Sequence, residues 1–215
     1  MAKTILKRVS MSSLRVLSGT WKGHILRSPL NKSTRPTKAQ VRAAIFNIWK
    51  PLLDEAHFLD LFSGSGAIGL EALSLGANRV SFVENNLQAI RVINENKKKL
   101  GCELQSILYE QSVENFLAAH KKSYQLIFID PPYDWSPISR KKIFEVVEPG
   151  CYVGWLLNKT APLLTDGGQL IIEQAKRNAE DQNSWSSFEN ITYLETREYG
   201  DSLIHRFEKL RPASP

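Results

Sequence analysis

The sequence predicts an α/β fold: a doubly wound, mostly parallel sheet closed by an antiparallel hairpin. Three observations carry this. First, Phe58 to Leu75, FLDLFSGSGAIGLEALSL, reads as a buried strand, a glycine turn and an amphipathic helix in immediate succession. Second, strand-sized apolar runs alternate with helical patterns from residue 58 to residue 129. Third, Tyr199-Gly200-Asp201-Ser202 separates the last two strand-like runs, a hairpin signal that a nucleotide-dehydrogenase plan lacks.

At 215 residues the chain is long enough for one ordinary domain with a small appendage. The longest apolar runs are strand-sized, so no membrane span is expected. The start, MAKTILKRVSMSS, is basic but lacks the apolar core and cleavage site of a secretory signal. Cys102 and Cys151 show no metal or redox spacing and read as free thiols in a reducing compartment. His24, His57, His120 and His205 are scattered, so no metal site is expected, and the expected setting is a cytoplasmic monomer. Charge is informative. Residues 1–50 hold eleven Lys or Arg and no Asp or Glu, so this segment carries +11 of a net +6 and the rest carries −5. A front so one-sided points to a polyanionic partner.

Taken in order, residues 1–12 read as frayed. Ser13 to Ser18 and His24 to Arg27 flank the turn Gly19-Thr20-Trp21-Lys22-Gly23 and predict a small β-hairpin carrying Arg15, Lys22, His24 and Arg27 as candidate contacts for a polyanion. The division expected is a basic extension over 1–36 and a catalytic domain over 37–215. Thr37 suits an N-cap for a helix from Lys38 to about Lys50, ended by Pro51, with Val41, Ala44, Ile45 and Ile48 at helical spacing. That helix would bring Arg35 and Thr37 near the glycine turn. Next come strand 58–62, helix 67–75, strand 79–84, helix 86–99, a short strand near 104–109, helix 112–120 and strand 124–129. In helix 86–99, Leu87, Ile90 and Ile93, with Val92 beside them, are expected to face inward, and Lys97, Lys98 and Lys99 suit the negative end of the helix dipole. A helix-rich segment over 137–163, a strand from Gln169 to Glu173, a polar surface excursion over 176–187, and strands near 189–198 and 203–209 complete the chain.

The glycine turn has the spacing Gly64, Gly66, Gly69, which permits positive backbone angles and close approach of main chain to a ligand. Two acids select the ligand. Asp60, inside the first strand, repels a pyrophosphate but suits the ammonium of an amino acid. Glu84, at the tip of the second strand, suits both hydroxyls of a ribose. An amino acid joined to a ribose describes S-adenosylmethionine. The fourth strand runs into Asp130-Pro131-Pro132-Tyr133. Its prolines remove two main-chain donors and leave carbonyl acceptors, Asp130 adds a carboxylate, and Tyr133 offers a face for an extruded base. Two acceptors on a nucleobase amine would make its nitrogen a better nucleophile.

The chain resembles the RsmD-type family of 16S rRNA (guanine-N(2))-methyltransferases. The resemblance rests on LRVLSGTWKGHIL, TRPTKAQVRAAIFN, DLFSGSGAIGLEALSLGA, VSFVENN, FIDPPY and REYGDS, which together cover nearly the whole chain. It implies a class I S-adenosylmethionine-dependent methyltransferase fold, Rossmann-like and seven-stranded, with a small N-terminal β-hairpin extension for RNA. It also implies methylation of a guanine N(2) amine in 16S ribosomal RNA, within an assembled or assembling small subunit. Carried over residue by residue, Asp60, Gly64, Gly66 and Glu84 go to the donor, with Arg35, Thr37, Phe62 and Ser112 beside them. Asp130, Pro131, Pro132 and Tyr133 go to the target amine. Two stretches depart from the family. Gln111-Ser112 stands where the family has Gly-Asp, so the Ser112 hydroxyl or main chain must replace an acid on the adenine amine. The segment 134–163 is longer than the family's linker. Two other functions fit the same residues: an adenine-amine (N(6)) methyltransferase of DNA or RNA, and a catalytically silent RNA-binding assembly factor.

Overall fold

The computed structural model describes residues 14–29, 39–132, 152–179, 185, 188 and 190–211. The seven strands are β1 (His57–Leu61), β2 (Arg79–Glu84), β3 (Ser106–Glu110), β4 (Tyr124–Ile129), β5 (Leu164–Ala175), β6 (Ile191–Tyr199) and β7 (Ser202–Lys209). The helices are α1 (Ala39–Trp49), α2 (Ala67–Ser74), α3 (Leu87–Leu100), α4 (Val113–Ala119) and α5 (Tyr152–Thr160). The strands form one sheet in the order β3-β2-β1-β4-β5-β7-β6. β1 to β5 pair in parallel, and β7 inserts antiparallel between β5 and β6. This is the seven-stranded, mostly parallel class I methyltransferase sheet with its C-terminal antiparallel hairpin.

The order follows from how the crossovers pack. Parallel strands need right-handed crossovers. Those through α2 and α3 build outward from β1 to β3, and the chain then returns to place β4 on the other side of β1. One face of the sheet, with Phe58, Val80, Phe82, Phe128 and Ile171, packs against α1, α2 and Ile93 of α3. The other, with Leu59, Leu61, Ile127, Ile129 and Ile172, packs against α4 and α5. Because helices leave to opposite faces between β1 and β4, a crevice opens above the carboxyl ends of these two strands.

α1 lies against the sheet as its periodicity requires, with Trp49 edge-on to Phe58 at 5.6 Å between ring centroids. The predicted cap Thr37 lies outside the described residues, as do Arg35, Tyr133 and Cys151, while Cys102 is a buried free thiol. Pro51 does not end the chain's winding at once, since Lys50–Leu52 adds a 3₁₀ turn with the proline in a position that needs no donor.

Several expectations are corrected. Leu87 is 70% exposed and does not face inward. Asn86 caps α3 by accepting from Gln88 N and Ala89 N, which sets the buried stripe on Ala89, Ile90, Ile93, Asn96, Lys97 and Leu100. The third strand begins at Ser106, because Glu103–Gln105 forms a 3₁₀ turn with Leu104 99% exposed. Every residue of α2 is buried, so this helix is not amphipathic in place. The fifth strand is longer than its apolar core, running from Leu164 to Ala175. Within the expected surface excursion, Trp185 is buried against His205 and Phe207.

The N-terminal hairpin is narrower than expected, a single antiparallel bridge between Arg15 and Ile25. Val16 N donates to His24 O, and Gly23 N and Leu26 N donate to Val16 O and Leu14 O. Val16 and Leu26 are buried in the same cluster as α1, α2 and β1. Polar anchors complete this contact. The 1% exposed Glu71 of α2 accepts from Leu17 N and Ser18 N, and the 1% exposed Arg42 of α1 donates to Arg15 O. Burial lowers the Arg42 pKa and raises that of Glu71, while each charge favours the other. Thr20 N donates to Ser74 O, and Gly19 approaches so closely that a Cβ there would lie 1.8 Å from the same oxygen.

Candidate active site

The site is assembled at the carboxyl ends of β1, β2 and β4. Leu61 pairs with Ile129 in the β1–β4 register, so Phe62 and Asp130 leave the sheet side by side, and Asp130 N lies 3.5 Å from Leu61 O. Phe62 then takes φ 59°, a left-handed angle that a non-glycine residue adopts at a cost of about 1–2 kcal/mol. This turns the chain abruptly off the strand. Ser63 secures it, donating to Asp60 O, accepting from Val83 N, and receiving support from its own N–H to Val83 O.

The glycines have different tasks. Gly64 (φ 55°) has open space where its Cβ would stand, with only Phe62 O at 4.0 Å. Gly66 (φ 75°) starts α2 from a left-handed angle. Gly69 allows α2 to press on β2, since a Cβ would lie 2.3 Å from Phe82 Cε1. The sequence spacing therefore produces a main-chain cradle at Gly64 and tight helix packing five residues later.

Asp60 is buried beneath α2, and its Oδ2 accepts from Gly69 N at 3.0 Å. Oδ1 takes no hydrogen bond among the described residues. Burial holds this carboxyl well above its ordinary 3.8, the Gly69 N–H pulls it back, and the nearby Glu84 charge adds to the rise. A cation beside it would offset that desolvation. Glu84, half-buried at the end of β2, is gripped by main chain. Oε2 accepts from Gly64 N at 2.8 Å, and Oε1 accepts from Asn85 N at 2.9 Å and Asn86 N at 2.8 Å. The acid thus ties the glycine turn to the start of α3 and holds one orientation before any ligand arrives.

Ser112 caps α4, its hydroxyl oxygen accepting from Asn115 N at 3.3 Å. Pro131 is buried and Pro132 exposed. The structure thus brings Asp60, Phe62, Gly64, Gly66 and Glu84 together, and sets Asp130 and Pro131 beside them. On the hairpin, Arg15, Lys22, His24 and Arg27 are exposed. They are not equally available. Arg15 donates to Gly23 O, His24 Nδ1 lies 2.9 Å from Trp21 O, and Arg27 forms an ion pair with Glu95. Among the described residues, no cluster of His, Cys, Asp or Glu is placed to hold a metal ion, and no helix is long and apolar enough to cross a membrane.

Sequence reasoning missed Ser63, Glu71, Ser74 and Asn96. Asn96 left a trace, being a polar residue on the stripe of Ala89, Ile93 and Leu100. Glu71 and Ser74, three apart on α2, read as its solvent side until the hairpin is known to cover them.

The family described as Conserved hypothetical protein 95 matches residues 14–208. YlbH of Bacillus subtilis (strain 168) is 40% identical over 123 residues, covering 56% of this chain and 67% of that protein. Ribosomal RNA small subunit methyltransferase D of Escherichia coli (strain K12) is 32% identical over 120 residues, covering 56% of this chain and 60% of its own length. The match to that protein thus spans about three fifths of it. Among solved structures, the hypothetical protein TTHA0928 of Thermus thermophilus superposes with a TM-score of 0.69 at 27% identity, covering 89% of this chain and 97% of that one. With the match extending from the hairpin to the last strand, the chain belongs to the family of Conserved hypothetical protein 95, the RsmD-type family that its motifs resemble.

Proposed function

We propose that this protein transfers a methyl group from S-adenosylmethionine to the N(2) amine of a guanine in 16S ribosomal RNA, packaged in a small subunit. The observation that carries the reading is the β1–β4 register, which pairs Leu61 with Ile129 and so supports a donor site at the glycine turn beside an amine site at Asp130-Pro131. The relatives' names support ribosomal RNA as substrate class.

The donor supplies an electrophilic methyl on sulfur; the residues supply position and charge. Asp60 Oδ1 faces the donor's ammonium, which restores its ionised form in a site where burial opposes it. Glu84, its two oxygens oriented by three main-chain N–H groups, would accept hydrogen bonds from the ribose hydroxyls. Gly64 admits the donor backbone where any Cβ would stand. Ser112, while capping α4, keeps a hydroxyl proton and a second lone pair for the adenine edge. Asp130 and the Pro131 carbonyl accept hydrogen bonds from the two N–H groups of the guanine amine, concentrating its lone pair toward the methyl. With the donor bound, the amine would take its methyl as the carbon–sulfur bond broke to a neutral thioether, and Asp130 or water would receive the surplus nitrogen proton. Holding the three atoms in line is chiefly a positioning task. Tyr133 is the proposed stacking partner of the extruded base, and Arg35 and Thr37 are proposed donor contacts. Arg15, Lys22, His24 and Arg27 place the basic extension, 1–36, on RNA phosphates beside the methyltransferase domain, 37–215. The protein acts as a cytoplasmic monomer.

The test is methyl transfer from labelled donor to purified small subunits, naked 16S RNA and unmethylated duplex DNA, followed by nucleoside digestion. Label in N(2)-methylguanosine from small subunits is expected. Label in DNA or in N(6)-methyladenosine would transfer the reading to an adenine enzyme. Absence of donor binding would leave an RNA-binding assembly factor.

A further inference from the structure

The hairpin and the glycine turn are joined by one buried side chain. Asn96 of α3 is fully buried. Its Oδ1 accepts from Arg27 N at 2.8 Å, while its Nδ2 donates to Arg27 O at 3.0 Å and to Ser65 O at 3.0 Å. The orientation of the amide follows from the network, because a flipped group would aim its NH2 at the Arg27 N–H. Ser65 lies inside the glycine turn, between Gly64, whose N–H holds Glu84, and Gly66, which opens α2. Arg27 ends the second arm of the hairpin, directly after the buried Leu26. The side chains of the other hairpin anchors, Glu71 and Ser74 of α2, Arg42 of α1 and Lys99 of α3, hydrogen-bond to the extension and not to the glycine turn. Asn96 touches both the extension and the turn.

We propose that Asn96 is a positioning residue that couples the two ligand sites, so that donor bound in the glycine turn strengthens the hold of the hairpin on RNA, and RNA strengthens the hold on donor. The inference rests on the reading of the glycine turn as donor site and the hairpin as RNA contact. Its physical basis is satisfaction of one buried amide. Both N–H groups of Asn96 are spent on carbonyls in different segments, and movement of either carbonyl leaves a buried donor unpaired. The two segments are therefore most favourable in one joint arrangement. A ligand that fixes Ser65 narrows the positions open to Arg27, and the converse holds by thermodynamic reciprocity.

The experiment measures small-subunit binding by the full chain with and without saturating S-adenosylhomocysteine, and the reverse. In the natural protein each ligand is expected to tighten the other by the same factor, about fivefold or more. In Asn96→Ala both ligands still bind, and the factor falls to one. A purely architectural asparagine would lower the melting temperature and leave the factor intact, which overturns the proposal. Independent binding of the two ligands by the natural protein overturns it as well. Should Asn96→Ala not fold, hydrogen exchange on the natural protein decides. S-adenosylhomocysteine is expected to slow exchange of the Arg27 amide about fivefold or more, and unchanged exchange refutes the coupling. A natural protein that binds no S-adenosylhomocysteine brings down the functional reading itself, an outcome distinct from two ligands bound without communication.

Discussion

Replacing Glu84 by glutamine tests the donor site with almost no change of shape. The carboxylate accepts three main-chain N–H groups, one at Oε2 from Gly64 and two at Oε1 from Asn85 and Asn86. An amide has one acceptor oxygen, so its NH2 must oppose at least one of these donors. The milder placement keeps oxygen toward Asn85 and Asn86 and turns NH2 against Gly64, which loosens the turn at Gly64 while Ser63 still holds it to Val83 of β2. A hydrogen bond to a charged group contributes about 1.5–3 kcal/mol. Losing the Gly64 tether together with one charged ribose contact should weaken donor binding by about 3 kcal/mol, on the order of a hundredfold in Kd. Calorimetric titration with S-adenosylhomocysteine reads this directly. Stability should change less, because the strand end is partly solvated: about 1 kcal/mol, or roughly 2–4 °C in Tm for a domain of this size. A Kd within threefold of the natural protein would refute the placement of the ribose on Glu84.

Asp130→Ala should lower single-turnover methyl transfer by about 10²–10³-fold while leaving donor affinity within a few-fold, since it removes an acceptor of the target amine only; parallel loss of both would place Asp130 on the donor. Burial raises Asp60, so its contribution to the stability of the ligand-free fold is fully present below its ordinary 3.8 and is lost as pH rises through its higher folded value. Donor binding should therefore release a proton in that window, detectable by calorimetry in buffers of differing ionisation heat; binding without proton release would separate Asp60 from the ammonium. Burial lowers His205 from 6.5 to about 4, between Thr196 Oγ1 at 2.7 Å and Gln174 Oε1 at 3.0 Å. At about 1.4 kcal/mol per unit, its neutral form contributes about 3 kcal/mol, present above 6.5 and lost as pH falls through about 4. His205→Gln should flatten that part of the stability profile, and an unchanged slope would show that other groups set it.

The parts of the molecule legible in the sequence are those whose chemistry is local. Asp60, the three glycines and Glu84 sit within one βαβ unit, so their spacing alone fixes their meeting. Asp130 is far along the chain, yet its position beside the glycine turn is legible too, because a strand-order reversal puts β4 against β1. What escapes the sequence depends on contacts between distant segments. Glu71 and Ser74 have the polarity of a solvent face, and only the docked hairpin makes them interior. Leu87 has the character of a core residue, but the Asn86 cap rotates α3 so that it faces out. Trp185 lies in a polar stretch whose composition says surface, while β6 and β7 offer it Tyr193, His205 and Phe207.

A crystal structure with S-adenosylhomocysteine bound tests most directly whether the two half-sites face one another. The ribose hydroxyls should lie within hydrogen-bond distance of Glu84, the ammonium beside Asp60, and the sulfur toward the main chain of Asp130 and Pro131. A ligand seated away from the β1–β4 crevice, or with its sulfur turned from Pro131, would contradict the proposed chemistry.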